Sequence, residues 1–273
     1  MTPSATIAEA FARVRAAGFV GRATRLDDLD LPRVGHDIGV GEDEVHAIID
    51  VETAGGGFDP QKRPKMLFEP HVFYRHLQGA DQAHAVQIGI AYPTWGTKPY
   101  PKDSYPRLAA AMAINETAAL KAASWGLGQV LGENFVAAGY SSPQQMVLAF
   151  VEGGESEHLA AMVRFIQANH LDDELRAHNW AAFARGYNGP KYAAHGYHTK
   201  LAAAYAKWQA IRDTPWSPDQ GAVGQAIPSG RIETKPLPPP PAPRPQSPAP
   251  PVAAAPKPRP SLWSRLRTFI TGA

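Results

Sequence analysis

One carboxylate stands where the pattern of the chain places a buried apolar side chain. In residues 42–53 a helical spacing puts Val45, Ile48, Ile49 and Glu52 at i, i+3, i+4 and i+7, on a single face. Glu52 therefore takes the last position of an apolar stripe, at the C-terminal end of the predicted helix. Burial and the negative end of the helix dipole both disfavour the charged carboxyl and raise its pKa. Such a carboxyl can hold a proton near neutral pH and act as a general acid.

Glycines follow this carboxylate and recur at two later turns. Residues 55–57 are all glycine, which ends the helix and lets a bulky ligand approach the backbone. The stretch "ASWGLGQV", residues 123–130, sets Gly126 and Gly128 around Gln129 just after a predicted helix. The stretch "FARGYNGPKY", residues 183–192, puts Tyr187 and Asn188 at the end of another predicted helix. Each of the three turns thus combines glycine with a polar or acidic residue at or just after a helix end.

The order of these turns resembles the lysozyme-like superfamily of glycan-cleaving enzymes, which includes the lytic transglycosylases. Four blocks, "VETAGGGF", "RPKMLFEPHVFYR", "ASWGLGQV" and "ARGYNGPKY", look more closely like the N-acetylmuramidase family of phage endolysins and prophage lysins. The resemblance covers about residues 40–212, in order. It implies that Glu52 is the proton donor to the glycosidic oxygen. It also implies substrate-binding roles, at the cleft wall or opposite the acid, for Ser124, Trp125, Gly126, Gly128, Gln129, Tyr187 and Asn188.

A second carboxylate is needed for two-carboxyl hydrolysis, at roughly 5–5.5 Å in a retaining or ~6.5–9.5 Å in an inverting glycosidase. Glu69, in "LFEPH", is the first candidate because it lies in a family-like block after an apolar run, and Asp59 ranks below it. A lytic transglycosylase manages with one acid, because the C6 hydroxyl of the sugar attacks. The sequence leaves both reactions open. A third reading is a non-catalytic cell-wall binding or virion structural protein that retains the fold.

Other chemistries find little support. The chain has no cysteine, and its 10 histidines form no ligand set beyond His195 and His198 in "HGYH", so we predict no metal site and no cofactor. A G-x-S-x-G nucleophile elbow is absent, and "TAGGGF" lacks the Lys and the helix of a phosphate-binding loop.

Helical patterns dominate the chain, with short β-like pieces at "KMLFE" and "HAVQIGIAY". We therefore predict a mainly α (α+β) fold with a small β element, and the resemblance implies the lysozyme-like architecture. The predicted divisions are a helical lead-in (1–39), the catalytic domain (40–215), a Pro-rich linker (216–260) and a short amphipathic tail (261–273). Residues 227–260 hold 14 of the 27 prolines, which is typical of an extended spacer.

Charge divides the chain in two. Residues 1–226 carry 20 Lys and Arg against 24 Asp and Glu, whereas residues 227–273 carry 7 against 1. The body has no basic footprint for nucleic acid, and the tail pairs an apolar stripe with arginines, which favours contact with a membrane or envelope surface. The N-terminus lacks a signal-peptide pattern. We expect a monomer made in a cytoplasm that reaches peptidoglycan in the periplasm or cell wall after release.

Overall fold

The computed structural model of the protein describes residues 6–53, 56–189 and 192–218. The predicted linker from residue 219 onward and the predicted tail lie outside the described residues. Eleven α-helices are described within these ranges: α1 (Ile7–Ala16), α2 (Asp30–Ile38), α3 (Glu42–Thr53), α4 (Pro70–His76), α5 (Gly79–Gln87), α6 (Tyr105–Ile114), α7 (Glu116–Lys121), α8 (Pro143–Ala168), α9 (Asp172–Arg176), α10 (Trp180–Asn188) and α11 (Tyr197–Trp208). Three short strands join them: β1 (Met66–Phe68), β2 (Ala123–Trp125) and β3 (Val130–Leu131). The mainly α prediction with a small β element is confirmed.

Polar caps start several of these helices where the sequence indicates. Ser142 precedes Pro143 and accepts the Gln145 N–H at 3.0 Å, so α8 begins with both a cap and a proline in its first turn. Asn115 caps α7 in the same way, by accepting the Ala118 N–H at 3.0 Å. Ser104 also precedes a helix, α6, but its side chain makes no capping bond there. The helix starts are therefore set locally.

The sheet is antiparallel in the order β1-β2-β3. Met66 lies opposite Trp125 and Phe68 opposite Ala123, and the Glu69 N–H extends the ladder to the Ala122 carbonyl at 2.7 Å. This sheet includes the predicted β-like "KMLFE". The second β-like stretch, "HAVQIGIAY", is wrong as a strand: its first four residues end α5, and the rest is turn and irregular chain.

Two hydrophobic cores lie on either side of helix α8. The first core is built on the sheet and on helices α4, α6 and α7, and its largest members include Phe68, Phe73, Leu108, Trp125 and Phe150. The second core joins α2, α3, α10 and α11, and includes Ile48, Leu127, Met162, Phe183 and Leu201. Helix α8 contributes to both, with Phe150 in its first half and Met162 in its second. Phe11 and Val14 of α1 pack in the first core, so the lead-in shares the core of the catalytic region.

Helix α8 is broken by a kink at Gly154. The sequence pattern predicts two helices here, and the structure joins them through Gly154 at φ 73° and ψ −166°. A side chain at this position would lie 2.9 Å from the Thr24 carbonyl oxygen. That carbonyl instead accepts the Glu155 N–H at 2.9 Å. The positive φ and the close backbone approach explain why glycine occupies the kink.

None of the described helices is long and apolar enough to span a bilayer.

Candidate active site

Glu52 lies in the last turn of α3 and is only 1% exposed. The apolar stripe predicted for this helix is present, because Val45 and Ile48 are fully buried on the same face. The stripe packs into the second core against helices α2 and α11. Glu52 is thus a carboxyl at the edge of an apolar core.

The surroundings of Glu52 favour its protonated form. Burial raises the pKa of the carboxyl from its ordinary 4.5 to about 8, while the Asn188 hydrogen bond and the charge of Lys200 oppose that rise. Asn188 donates from Nδ2 to Glu52 Oε1 at 3.3 Å. The other oxygen, Oε2, is buried and has no hydrogen-bond partner among the described residues. Since Oε1 accepts a donor, Oε2 is the atom left to carry the acidic proton.

Helix α10 brings Asn188 into contact with Glu52. Asn188 is fully buried and touches the acid directly. Tyr187 is placed otherwise: its hydroxyl donates to the Gly128 carbonyl at 3.0 Å, and its ring stacks on Phe183 with centroids 5.4 Å apart. Burial raises the pKa of Tyr187 well above its usual value, and the Glu52 charge adds to this. Tyr187 therefore connects the glycine turn to the helix that holds Asn188.

The turn at residues 126–129 is held by its own amide side chain. Gln129 Nε2 donates to the Gly126 carbonyl at 2.9 Å and to the Lys65 carbonyl at 3.2 Å. Gln129 itself adopts φ 46°, and Gly126 adopts φ 67°. The amide of Gln129 is thus engaged within the fold, and the side chain is only 8% exposed. Gly128 contributes through its carbonyl, which accepts from Tyr187.

Two predicted cleft residues lie in the interior of the sheet. Trp125 is fully buried in the first core and donates its indole N–H to the Leu120 carbonyl at 3.2 Å. No face of its ring is open to a pyranose, so the substrate-binding prediction for Trp125 does not fit the structure. Ser124 is 1% exposed and pairs with Leu67 and Leu131 in the sheet. Its hydroxyl has no partner among the described residues. Neighbouring residues of a strand point to opposite faces of the sheet, so the burial of both side chains means that both faces of β2 are covered.

Glu69 has Tyr100 and His71 beside its carboxyl group. It is fully buried at the end of β1, where Tyr100 donates to its Oε2 at 2.5 Å and His71 Nδ1 lies at 3.6 Å from the same oxygen. Its backbone N–H continues the sheet at the Ala122 carbonyl. Asp59, the lower-ranked acid, is held by Arg63 at 2.7 Å.

Two buried polar residues of helix α8 support both glycine turns, and no sequence motif marks them. Glu155 accepts the Gly57 N–H at 2.6 Å, just beyond Glu52. His158 Nδ1 accepts the Leu127 N–H at 3.2 Å while its Nε2 faces the Phe150 carbonyl at 3.0 Å, so the proton sits on Nε2. Burial lowers the pKa of His158 to about 4 and keeps it neutral. Because Glu155 and His158 are three residues apart, their spacing in the sequence looks like that of any two residues on one face of a helix.

Within the described residues, no group of three or more His, Asp or Glu side chains could hold a metal ion. His195 and His198 bracket the start of α11, and His198 packs edge-on against Tyr192.

Comparisons with known proteins identify the family of the chain. The family model described as N-acetylmuramidase matches residues 42–209. Among solved structures, one titled "Crystal structure of Burkholderia AP3 phage endolysin" superposes with a TM-score of 0.63 at 32% sequence identity. The match covers 76% of this chain and 87% of that one. A search of curated proteins finds no match. The chain belongs to the N-acetylmuramidase family and is a lysozyme-type glycoside hydrolase that acts on peptidoglycan.

Proposed function

We propose that the protein cleaves the β-1,4 bond between N-acetylmuramic acid and N-acetylglucosamine, with Glu52 as the general acid. The observation that carries this proposal is the state of Glu52: a fully buried carboxyl at the end of α3, with its pKa raised to about 8. A carboxylic acid of that kind holds its proton at neutral pH and can deliver it to a leaving oxygen. This is the protonation step that glycoside hydrolysis requires.

Asn188 orients the acid in this proposal. Its Nδ2 donates to Oε1, which directs the protonated Oε2 away from Asn188. Oε2 then delivers its proton to the glycosidic oxygen as the C1–O bond breaks, and the carboxylate that remains has the Asn188 donor and the Lys200 charge beside it. Both interactions favour the charged form, so they stabilise the product of proton transfer.

The reaction that follows bond cleavage has a second candidate. No acid is among the groups that shift the pKa of Glu52, and the described hydrogen bonds of Glu69 and Asp59 include those to Tyr100 and Arg63. A second carboxyl at 5–9.5 Å, the range roughly needed by two-carboxyl hydrolases, would couple to it electrostatically. A single acid favours lytic transglycosylation, in which the sugar's own C6 hydroxyl attacks C1 and gives a 1,6-anhydro product.

The test of the acid is Glu52→Gln, assayed on purified sacculi. We expect activity to fall by about 10²–10⁴-fold, the usual contribution of a positioned general acid, with the fold retained by circular dichroism. The control is Asp50→Asn in the same helix, an exposed acid that binds Lys207 and Trp208, and it should keep its activity. Wild-type turnover in Glu52→Gln would refute the assignment.

Mass spectrometry of the released muropeptides separates the two reactions. A reducing-end N-acetylmuramic acid identifies hydrolysis, and a 1,6-anhydro end identifies transglycosylation. Glu69→Gln belongs in the same series. If Glu69 were the second carboxyl of a hydrolase, this variant would lose turnover as completely as Glu52→Gln.

A further inference from the structure

A short segment that precedes the family-matched residues is attached to the glycine turn after Glu52. Thr24 and Leu26 both bond to Glu155: the Thr24 carbonyl accepts the Glu155 N–H at 2.9 Å, and the Leu26 N–H donates to Glu155 Oε2 at 3.2 Å. The other oxygen of Glu155 accepts the Gly57 N–H. Glu155 therefore holds residues 24–26 against the turn at residues 56–57, through its backbone N–H and its buried carboxylate.

Arg25, in the middle of this segment, lies directly on Gly56. A Cβ added at Gly56 would be only 2.3 Å from Arg25 Nη1, so glycine is what allows the guanidinium to approach the backbone. Glu155 Oε1 lies 3.3 Å from the same Nη1. The carboxylate is buried, with its side chain 3% exposed, whereas the Arg25 side chain is 67% exposed. The guanidinium is thus paired with a buried carboxylate, while the Arg25 side chain remains open to solvent.

A second cation lies beside Arg25. The Lys65 N–H donates to the Gly57 carbonyl at 2.7 Å, which places Lys65 next to the same turn. Burial lowers the pKa of the Lys65 ammonium and the charge of Arg25 lowers it further, while Glu155 and Asp59 oppose both effects. Asp59 is itself paired with Arg63. Two positive charges are therefore held close together in a body whose overall balance is acidic.

These cations connect to Glu52 through continuous contacts. A Cβ at Gly57 would lie 3.1 Å from the Leu127 nitrogen, so the two glycine turns touch. The second turn continues to Gly128, whose carbonyl binds Tyr187, the neighbour of Asn188. Arg25 is not among the charges that shift the pKa of Glu52.

We propose that Arg25, with Lys65, forms an anion subsite that binds a carboxylate carried on the muramic acid residues of the glycan. This inference rests on the proposed function. A guanidinium donates two parallel N–H bonds to a carboxylate and remains charged at any working pH. In peptidoglycan the carboxylate comes either from the stem peptide or, in strands stripped of peptide, from the lactyl group. A neutral polymer of N-acetylglucosamine offers neither, so the subsite selects for muramoyl glycans.

The experiment compares kcat/KM of wild type and Arg25→Gln on three substrates: intact sacculi, peptide-stripped strands, and stripped strands whose lactyl carboxyls have been converted to amides. The matched control is Arg22→Gln, an exposed arginine three residues earlier that carries the same charge. Thermal melts confirm that each variant folds. Lys65→Gln forms a second, independent variant of the subsite.

We expect Arg25→Gln to lose about tenfold in kcat/KM, mainly through KM, on substrates that present the carboxylate, and to match wild type on amidated strands. Loss on stripped strands alone identifies the lactyl carboxylate, and loss on sacculi alone identifies the stem peptide. Equal loss on all three substrates, or loss on none, overturns the subsite, as does an equal loss in Arg22→Gln. Failure of the proposed function looks different, because wild type itself would then leave the β-1,4 bonds of stripped strands intact.

Discussion

Asn188 and Glu52 meet across 136 residues of sequence, with the amide nitrogen of one 3.3 Å from a carboxyl oxygen of the other. Both side chains are buried, and each lies in the last turn of its own helix, α10 and α3. Burial raises the pKa of Glu52, and the hydrogen bond from the Asn188 amide lowers it. The two effects together set the acidity of this carboxyl. This pairing makes Asn188 the partner that tunes the acid.

Replacing Asn188 tests this pairing directly. Asn188→Ala removes the donor that stabilises the charged carboxyl, so the pKa of Glu52 should rise further and the alkaline limb of the kcat/KM profile should move to higher pH. The maximum rate should fall because Oε2 is no longer oriented. Asn169→Ala, an exposed asparagine at the end of α8, is the control and should leave the profile in place. An unshifted alkaline limb in Asn188→Ala would argue against the pairing.

The stability of the protein should depend on pH through Glu52. Its pKa is about 8 in the folded state and near 4.5 when unfolded, so the folded state binds the extra proton between these values. Stability from this group is complete below about pH 4.5 and declines, by up to about 1.4 kcal/mol per pH unit, until about pH 8. Glu52→Gln removes the titration. The melting temperature of Glu52→Gln should therefore increase relative to that of wild type as pH rises from 5 to 8. A constant difference between the two melting temperatures would contradict the raised pKa.

The turn that carries Gly126 should tolerate no side chain. Gly126 has φ 67°, and a Cβ there would lie 2.8 Å from the His158 ring and 2.9 Å from Phe150. Gly18 has nearly the same φ, 66°, with nothing within 4 Å of its Cβ position. Gly18→Ala should thus show the backbone strain alone, about 1–2 kcal/mol. Gly126→Ala should lose about 1–3 kcal/mol more from the overpacking. Chemical denaturation measures both, and equal losses would mean that His158 and Phe150 move aside.

Glu69 is expected to matter for stability. Its carboxylate accepts a hydrogen bond from the Tyr100 hydroxyl. In Glu69→Gln the acceptor of this bond is a neutral amide oxygen, which binds the hydroxyl more weakly than a carboxylate does. We expect a loss of about 1–3 kcal/mol in the free energy of unfolding. Tyr100→Phe, which removes the same donor, is the comparison. Loss of turnover with unchanged stability would return Glu69 to the role of second carboxyl.

The C-terminal prediction concerns residues outside the described structure. Deleting residues 227–273 removes the basic, proline-rich segment and the amphipathic tail. Activity on purified sacculi should be unchanged, because those substrates carry no membrane. Action on intact cells should weaken if the tail contacts the membrane or an anionic envelope polymer. Equal potency of both forms on intact cells would contradict the predicted contact of the tail with a membrane or envelope surface.

How far the sequence predicts the site depends on how local each signal is. The burial of Glu52 follows from the phase of one helix, and the cap at Asn115 from a single residue. The sequence predicts a substrate-binding role for Trp125 because two turn-forming glycines follow it. It gives little sign of the three-residue strand that buries this side chain. Glu155 and His158 act on residues about 30 to 130 positions away, and Arg25 lies on Gly56, which is also remote in the sequence. Such contacts exist only after the chain has folded.

The bend in α8 also decides where the catalytic unit begins. At the kink, the backbone of residues 21–24 lies against the broken helix: Thr24 takes the Glu155 N–H, and Gly21 sits so close to the Val151 carbonyl that a Cβ would be 2.0 Å from that oxygen. A fragment cut at residue 42, where the family match starts, would strip this cover and leave Glu155 without its three partners from residues 24–26. In chimeric lysins assembled from this enzyme, the junction therefore has to lie upstream of α1. The family match begins at residue 42, but the residues that cover the kink in α8 come before it.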